Sequence, residues 1–344
     1  MKFKAGKQQG GLLDYQERKA ALSRMTTPLD RLNERMDWEL FREDLEGHLN
    51  YGDGSKGGRP PWCPVLMFKI IVLQKYYGLS EEQTEFQIFD RFSFQRFLDL
   101  EVGDDVPDKN AIWDFKERLG KAGVRACFDL FDEVLRESGL LASRGKIVDA
   151  SFVDVPRQRN SREENASIKE GGTPEEWNKS PRKMAQKDVD ARWTTKNKER
   201  HYGYKNHVKC NAKTKLVEDY SVTDASVHDS QEITGLLDES DGRMHADSAY
   251  KSRKLDEELR RRGIQNRIHE KGYRNRPLSD EQKDNNRKKS KVRARVEHIF
   301  GFQSYLMGAD WIRTIGRDRA ERGIGLGNIV YNMFRYVQLG GAMG

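Results

Sequence analysis

Residues 146–156 read KIVDASFVDVP, and the fold turns on how this stretch is read. β-Branched and aromatic residues dominate it and Pro156 closes it, the make-up of a β-strand. Asp149 lies in its middle. A carboxylate inside an apolar strand is costly unless a positive charge or hydrogen-bond donors compensate it.

Working outward, YGYKNHVKC (202–210), KLVEDYSVTDA (215–225) and RMHADSAY (243–250) also read as strands. HDSQEITGLLDES (228–240) and SRKLDEELRRRG (252–263) read as helices, and IQNRIHE (264–270) as a fifth short strand. A long charged helix is expected from Ser279 to about Met307, and a last apolar helix from about Ile324 to Leu339. Three strands followed by alternating helices and strands imply an α/β (α+β) domain over 143–344, with a mixed sheet flanked by helices. Residues 157–200 are polar and almost strandless, with Trp177 and Trp193 as isolated anchors. They read as an insertion between the first two strands.

Upstream the pattern is helical. Residues 1–35 are polar and expected to be flexible, and 36–142 form an all-helical N-terminal domain. Trp38, Phe41, Leu45 and Leu49 recur at helical spacing, and 51–64 is a loop dense in Gly and Pro. The apolar run from Val65 to Tyr77 predicts a buried helix, stopped at Gly78 and followed by a capping box of Ser80 with Gln83. Asp108 caps the next helix, Gly120 stops it, and Val124 to Leu135 form another. Two helices joined by so short a turn resemble a helix-turn-helix, so this domain serves either DNA-end recognition or dimerisation.

Lys and Arg number 62 against 55 Asp and Glu, for a net charge of +7 and a pI near 9.1. That balance points to a polyanionic partner, nucleic acid by default. The basic residues are unevenly spread: between Lys179 and Lys215 twelve of them face only Asp188, Asp190 and Glu199. The three cysteines, Cys63, Cys127 and Cys210, lack zinc spacing and read as free thiols in a reducing compartment. The N-terminus lacks a signal-peptide core, and the run VLMFKIIVLQKYYG (65–78) is too short and too charged to span a membrane. A soluble cytoplasmic protein, associated with the nucleoid, is expected.

Three acids stand out. Asp149 is mid-strand, Asp247 ends the strand in HADSAY, and Glu297 lies on the late helix in VRARVEHIFG. Val292, Val296 and Ile299 mark that helix's buried side, which predicts Glu297 near the sheet rather than in solvent. A pair of Mg²⁺ ions needs only a few carboxylates, and two ions ~4 Å apart serve in-line phosphodiester displacement. Metal charge would then compensate Asp149. Ion pairs with nearby arginines, or solvated strand ends, are the alternative.

Together VDASFVDVPRQ (148–158), HYGYKNHVK (201–209), VTDASVHDSQ (222–231), HADSAY (245–250) and RARVEHIFGF (293–302) resemble the catalytic core of bacterial insertion-sequence transposases of the DDE type. The insertion-sequence-five family is the specific likeness. Residues 58–100 and 106–119 resemble its N-terminal domain, and 313–339 its C-terminal end. The resemblance implies a ribonuclease H-like fold. It also implies catalytic, metal-holding Asp149, Asp247 and Glu297, with Mg²⁺ (Mn²⁺ as substitute), two ions in all. The substrates it implies are the element's terminal inverted repeats and target DNA, bound by a homodimer or larger homo-oligomer. Arg293 matches an arginine four residues before the glutamate in related elements, and Ser304 stands where they often carry a lysine. Arg293, Lys205, Lys209, Lys196, Lys198 and Arg200 are the candidate DNA contacts, and His298 is expected to serve local packing. A nuclease of the same fold that cuts without joining, and a non-catalytic DNA-binding descendant, are the alternatives.

Overall fold

The computed structural model describes residues 11, 13–52, 57, 60–101, 103–196 and 198–340. The first ten residues of the expected flexible segment, and part of the 51–64 loop, lie outside them. The rest of the N-terminal stretch is helical: α1 (Asp14–Ser23), then α2 (Pro28–Asn33), which Thr27 and Asp30 start with a capping box. Leu29 and Leu32 of α2 are buried. These two apolar residues anchor a segment whose polar composition alone suggested looseness.

Helices α3 (Arg42–Leu49), α4 (Pro64–Tyr76), α5 (Glu81–Asp90), α6 (Phe92–Leu98) and α7 (Lys109–Glu137) follow. Gly78 (φ 62°) ends the α4 turn and the Ser80–Gln83 box opens α5, as the sequence implies. Asp108 caps α7, and Gly120 (φ 60°, ψ −172°) breaks it into the two amphipathic pieces expected.

The sheet is built from β1 (Gly145–Asp154), β2 (Arg192–Lys196), β3 (Glu199–Asn211), β4 (Val217–Asp224), β5 (Arg243–His245) and β6 (Gln265–Asn266). β1 is central. It pairs antiparallel with β3, Asp149 opposite Val208, and parallel with β5, Ile147 beside His245. β4 continues antiparallel on β3, and β6 parallel on β5. The 157–200 insertion is more ordered than its polarity suggests. It holds α8 (Arg162–Lys169), α9 (Glu175–Asn178) and α10 (Pro181–Met184), and it ends in β2, which forms a hairpin with β3. Trp177 is fully buried and donates to Glu164 Oε1 at 2.6 Å. β2 escapes a sequence reading because it pairs only with β3 and carries polar residues on both faces. No apolar alternation marks it.

Side chains alternate across β1. Val148 faces α11 (Ile233–Leu236) and α12 (Arg253–Arg261), packing with Leu236, Met244, Leu255 and Leu259. Ile147 faces the other way, into a core shared with Val208, Cys210, Val296, Ile299 and Val330. That side is covered by α13 (Asp280–Arg293), α14 (Glu297–Tyr305) and α15 (Arg317–Gln338). The single long helix expected from 279 to 307 is interrupted by a 3₁₀ turn at Ala294–Val296. The α15 helix starts earlier than expected, because insertion residues Asp188 and Asp190 accept from the Gly316 and Arg317 backbone N–H groups. It then packs across α7 and α4, so one continuous core runs from Leu29 and Phe131 to Val208 and Tyr336. The change at residue 143 is one of secondary structure, not of core.

Candidate active site

Asp149 is 8% exposed, and the structure answers its charge with a guanidinium. Its Oδ2 accepts from Arg293 at 2.5 Å and its Oδ1 accepts from the Ala150 N–H at 2.9 Å. Burial raises the Asp149 pKa, opposed by Arg293, that N–H and Lys196. The protein's own compensation for Asp149 is therefore an ion pair, the alternative to metal charge. Arg293, expected on DNA, is committed to Asp149 here.

Asp247 caps the short turn Ser248–Tyr250, accepting from the Ser248 N–H at 2.6 Å, and its side chain is 43% exposed. Register carried two residues past Ile147 and His245 brings it, just beyond the end of β5, beside Asp149 in the middle of β1. Both acids lie close enough to the buried Tyr250 hydroxyl to raise its pKa, after burial itself. His269 completes the cluster, its Nδ1 3.7 Å from Asp247 Oδ1. Burial, then Arg293, lowers the His269 pKa, while Asp247 raises it. Neither His269 nor Tyr250 was singled out from sequence. His269 sits in a polar stretch just past β6, and only the β5–β6 pairing carries it to Asp247.

Glu297 is not in this cluster. It is exposed, and its carboxylate has no hydrogen-bond or ion-pair partner among the described residues. The cause is local: a 3₁₀ turn winds at three residues per turn instead of 3.6, so Glu297 does not follow Arg293 onto the sheet side. Strand register thus sets Asp149 beside Asp247, while Glu297 stands exposed and, among the described residues, joins no group of three. Among the described residues no three acids, histidines or cysteines are placed to hold a metal. Asp149 and Asp247 fit a divalent ion in kind, since Mg²⁺ takes one or two carboxylates and keeps several waters. Among the described residues the Tyr250 hydroxyl and Arg293 Nε beside them are buried without a partner, leaving polar capacity at the site unused.

The other candidates divide. Lys205 is 7% exposed and donates to Asp229 and the Val227 carbonyl, and Lys209 is 4% exposed and lies 3.7 Å from Asp241. Neither reaches the surface, so neither contacts DNA in this arrangement. Their basic character suggested phosphate, but the sheet turns both inward. Lys196, Lys198 and Arg200 are exposed at the β2–β3 turn, with Lys196 5.5 Å over the Phe152 ring. His298 bonds the Tyr331 hydroxyl at 3.0 Å, the packing role expected of it, and Ser304 donates to Asp310.

The sheet order, with β4, β3 and β1 antiparallel and β5 and β6 parallel to β1, between helices on both faces, is that of a ribonuclease H-like nucleic-acid-processing fold. Residues 141–333 match the transposase DDE domain and residues 16–118 a transposase domain family, so the chain belongs to the DDE transposases. Membership implies dependence on a divalent metal ion. A solved piggyBac transposase synaptic complex with hairpin DNA is similar at 12% identity and a TM-score of 0.44, over 94% of this chain and 78% of that one. No helix among the described residues is long and apolar enough to cross a membrane.

Proposed function

We propose that this transposase cuts phosphodiesters at the ends of an insertion sequence and joins the freed ends to target DNA, with Asp149, Asp247 and Glu297 as its acids. The observation that carries the reading is the meeting of Asp149, on the central strand, with Asp247, just past the end of its parallel neighbour, though far apart in sequence, within the matched domain. In the first step a water oxygen attacks phosphorus, the bond to the 3′ oxygen breaks, and that oxygen leaves as a hydroxyl. In the second step that hydroxyl oxygen attacks a target phosphorus and gives up its proton, the target's P–O3′ bond breaks, and the displaced 3′ oxygen leaves as a hydroxyl. Mg²⁺, with Mn²⁺ as substitute, is the metal of this reading, two ions in number; bound there it polarises the phosphate and acidifies the water.

The chain's own part is to hold the acids on a rigid sheet and to free Asp149. Arg293 must release Asp149 before that carboxylate can bind an ion, and the freed guanidinium suits a phosphate oxygen. Glu297 must turn toward the sheet, which its exposed, unpartnered position permits. The insertion-sequence-five assignment rests on the motif string alone. Terminal inverted repeats and target DNA are the partners, and Phe86 and Phe89, exposed on α5, support a homo-oligomer.

The test incubates the protein with plasmid DNA carrying the element's ends and scores nicking and joining separately. Asp149→Asn and Asp247→Asn should each lower cleavage more than about 100-fold, since losing a ligand exceeds the loss from disturbing its supports. DNA binding should stay within about twofold, because backbone attraction persists. Cleavage without joining by the wild type would make it a nuclease, and wild-type-like cleavage by either variant would remove that acid from the site.

A further inference from the structure

A cavity of about 670 Å³ opens where β1 and β5 begin, on the side covered by α13. Arg144, Lys213, Arg243, Arg267, Lys288 and Arg295 line it, and among the described residues no carboxylate does. All six are exposed. Among the described residues none of them pairs with an acid: Arg144 donates to the Ser240 carbonyl and Arg295 to the Ala212 carbonyl. A seventh cation, Lys289, is paired with Glu270. Elsewhere surface cations commonly have acidic neighbours, as Lys121 has Asp318 and Arg125 has Asp219. Unpaired like charges gathered in a concavity repel one another and focus the positive potential. The field is felt locally: burial, then Arg267 and Arg243, pushes His245 on the cavity wall down to about 4.

We propose that this cavity docks the phosphate backbone of DNA beside the cutting site, a second anchorage separate from the β2–β3 turn. This rests on the DNA-processing reading above. A single phosphate carries at most about two negative charges, too few for six cations, whereas a nucleic-acid strand repeats its charge along its length. The place suits that role. From Gly145, on the cavity wall, to Asp149 is four strand residues, roughly 13 Å at about 3.3 Å each. His245 and Asp247 also lie on one side of the same chain segment, so the basic wall leads toward the acid pair.

The experiment is a set of binding titrations of a short duplex of arbitrary sequence, at several salt concentrations, with Arg243→Gln, Arg267→Gln and Lys288→Gln combined. The salt slope should fall by about 0.9 for each phosphate that the variant no longer neutralises, up to ~2.7 for the three. The variant should unfold at the same or a higher temperature, because repulsion is relieved. An unchanged slope overturns the proposal. So does stabilisation of the wild type by inorganic tripolyphosphate that the duplex fails to compete away, which would mark a small-anion site. If the wild type binds no duplex, the DNA-processing reading fails first. If it binds and cleaves while the slope stays unchanged, only the cavity is misassigned.

Discussion

Asp149 has a pKa raised by burial in spite of Arg293, and this sets how its charge bears on stability. The sign follows from linkage: a carboxyl whose folded pKa exceeds its unfolded value contributes stability that is complete below the unfolded pKa of about 3.9. That contribution is lost as pH rises through the folded value. Arg293 limits this loss by pairing with the ionised form. Arg293→Gln should therefore destabilise the protein by about 2 kcal/mol or more at neutral pH, the cost of leaving a largely buried charge unpaired. The penalty should shrink as the pH is lowered from neutral into the acid range, where Asp149 takes up its proton. Urea unfolding across that range checks it, and adding Asp149→Asn should remove most of the difference. A penalty independent of pH would mean that Arg293 acts through packing.

At the scale of elements, the β1–β3 pair is held close by a glycine that the motif HYGYKNHVK contains. Gly203 faces Asp154 with φ 151°, and a Cβ there would lie 2.3 Å from the Val153 carbonyl oxygen. Gly203→Ala should cost about 1–3 kcal/mol in denaturant unfolding, the usual range for forced overpacking. The exposed turn between β2 and β3 is a surface element of another kind. Lys196→Gln, Lys198→Gln and Arg200→Gln together should lower the salt slope of duplex binding by ~0.9 for each phosphate left without its cation, equally for all sequences, because phosphate contacts position without reading bases. A weakening confined to terminal-repeat DNA would show that the turn reads bases. Two other basic residues of the insertion are less available: Lys183 pairs with Glu164, and Arg192 donates to the Val189, Ala191 and Ile168 carbonyls.

For the whole molecule, the helical N-terminal part and the sheet share one core through α15. Phe334 stacks on Tyr76 at 3.8 Å and Tyr336 meets Phe131 edge-on at 5.7 Å. Arg319 and Arg322 both reach Glu117 on α7. A chain cut to 143–344 would expose that face of α15, a large apolar patch of the sort that drives aggregation. It should fail to give a monomeric, cooperatively unfolding species, whereas the full chain should show one calorimetric transition. Gel filtration and calorimetry of both chains check this, and a well-folded 143–344 fragment would show that the shared core is dispensable.

The sequence alone determined five of the six strands, β2 excepted, and where the helices around Gly78, Ser80, Asp108 and Gly120 start and stop. Val, Ile and Tyr runs need a pleated, half-buried surface, and the caps Ser80, Asp108 and Gly78 act on their nearest neighbours. These are local effects, so they are legible locally. The two strands that carry Asp149 and lead to Asp247 were legible too, through ordered motifs. Tertiary structure decided the rest. The Arg293–Asp149 ion pair, the burial of Lys205 and Lys209, the capture of His269 by the β5–β6 pairing and the outward turn of Glu297 all depend on how strands register and how the helix winds at 294–296. A charged side chain reads alike in sequence whether it meets water, a phosphate or a buried acid. Only the packing around it, made by residues far along the chain, selects among the three.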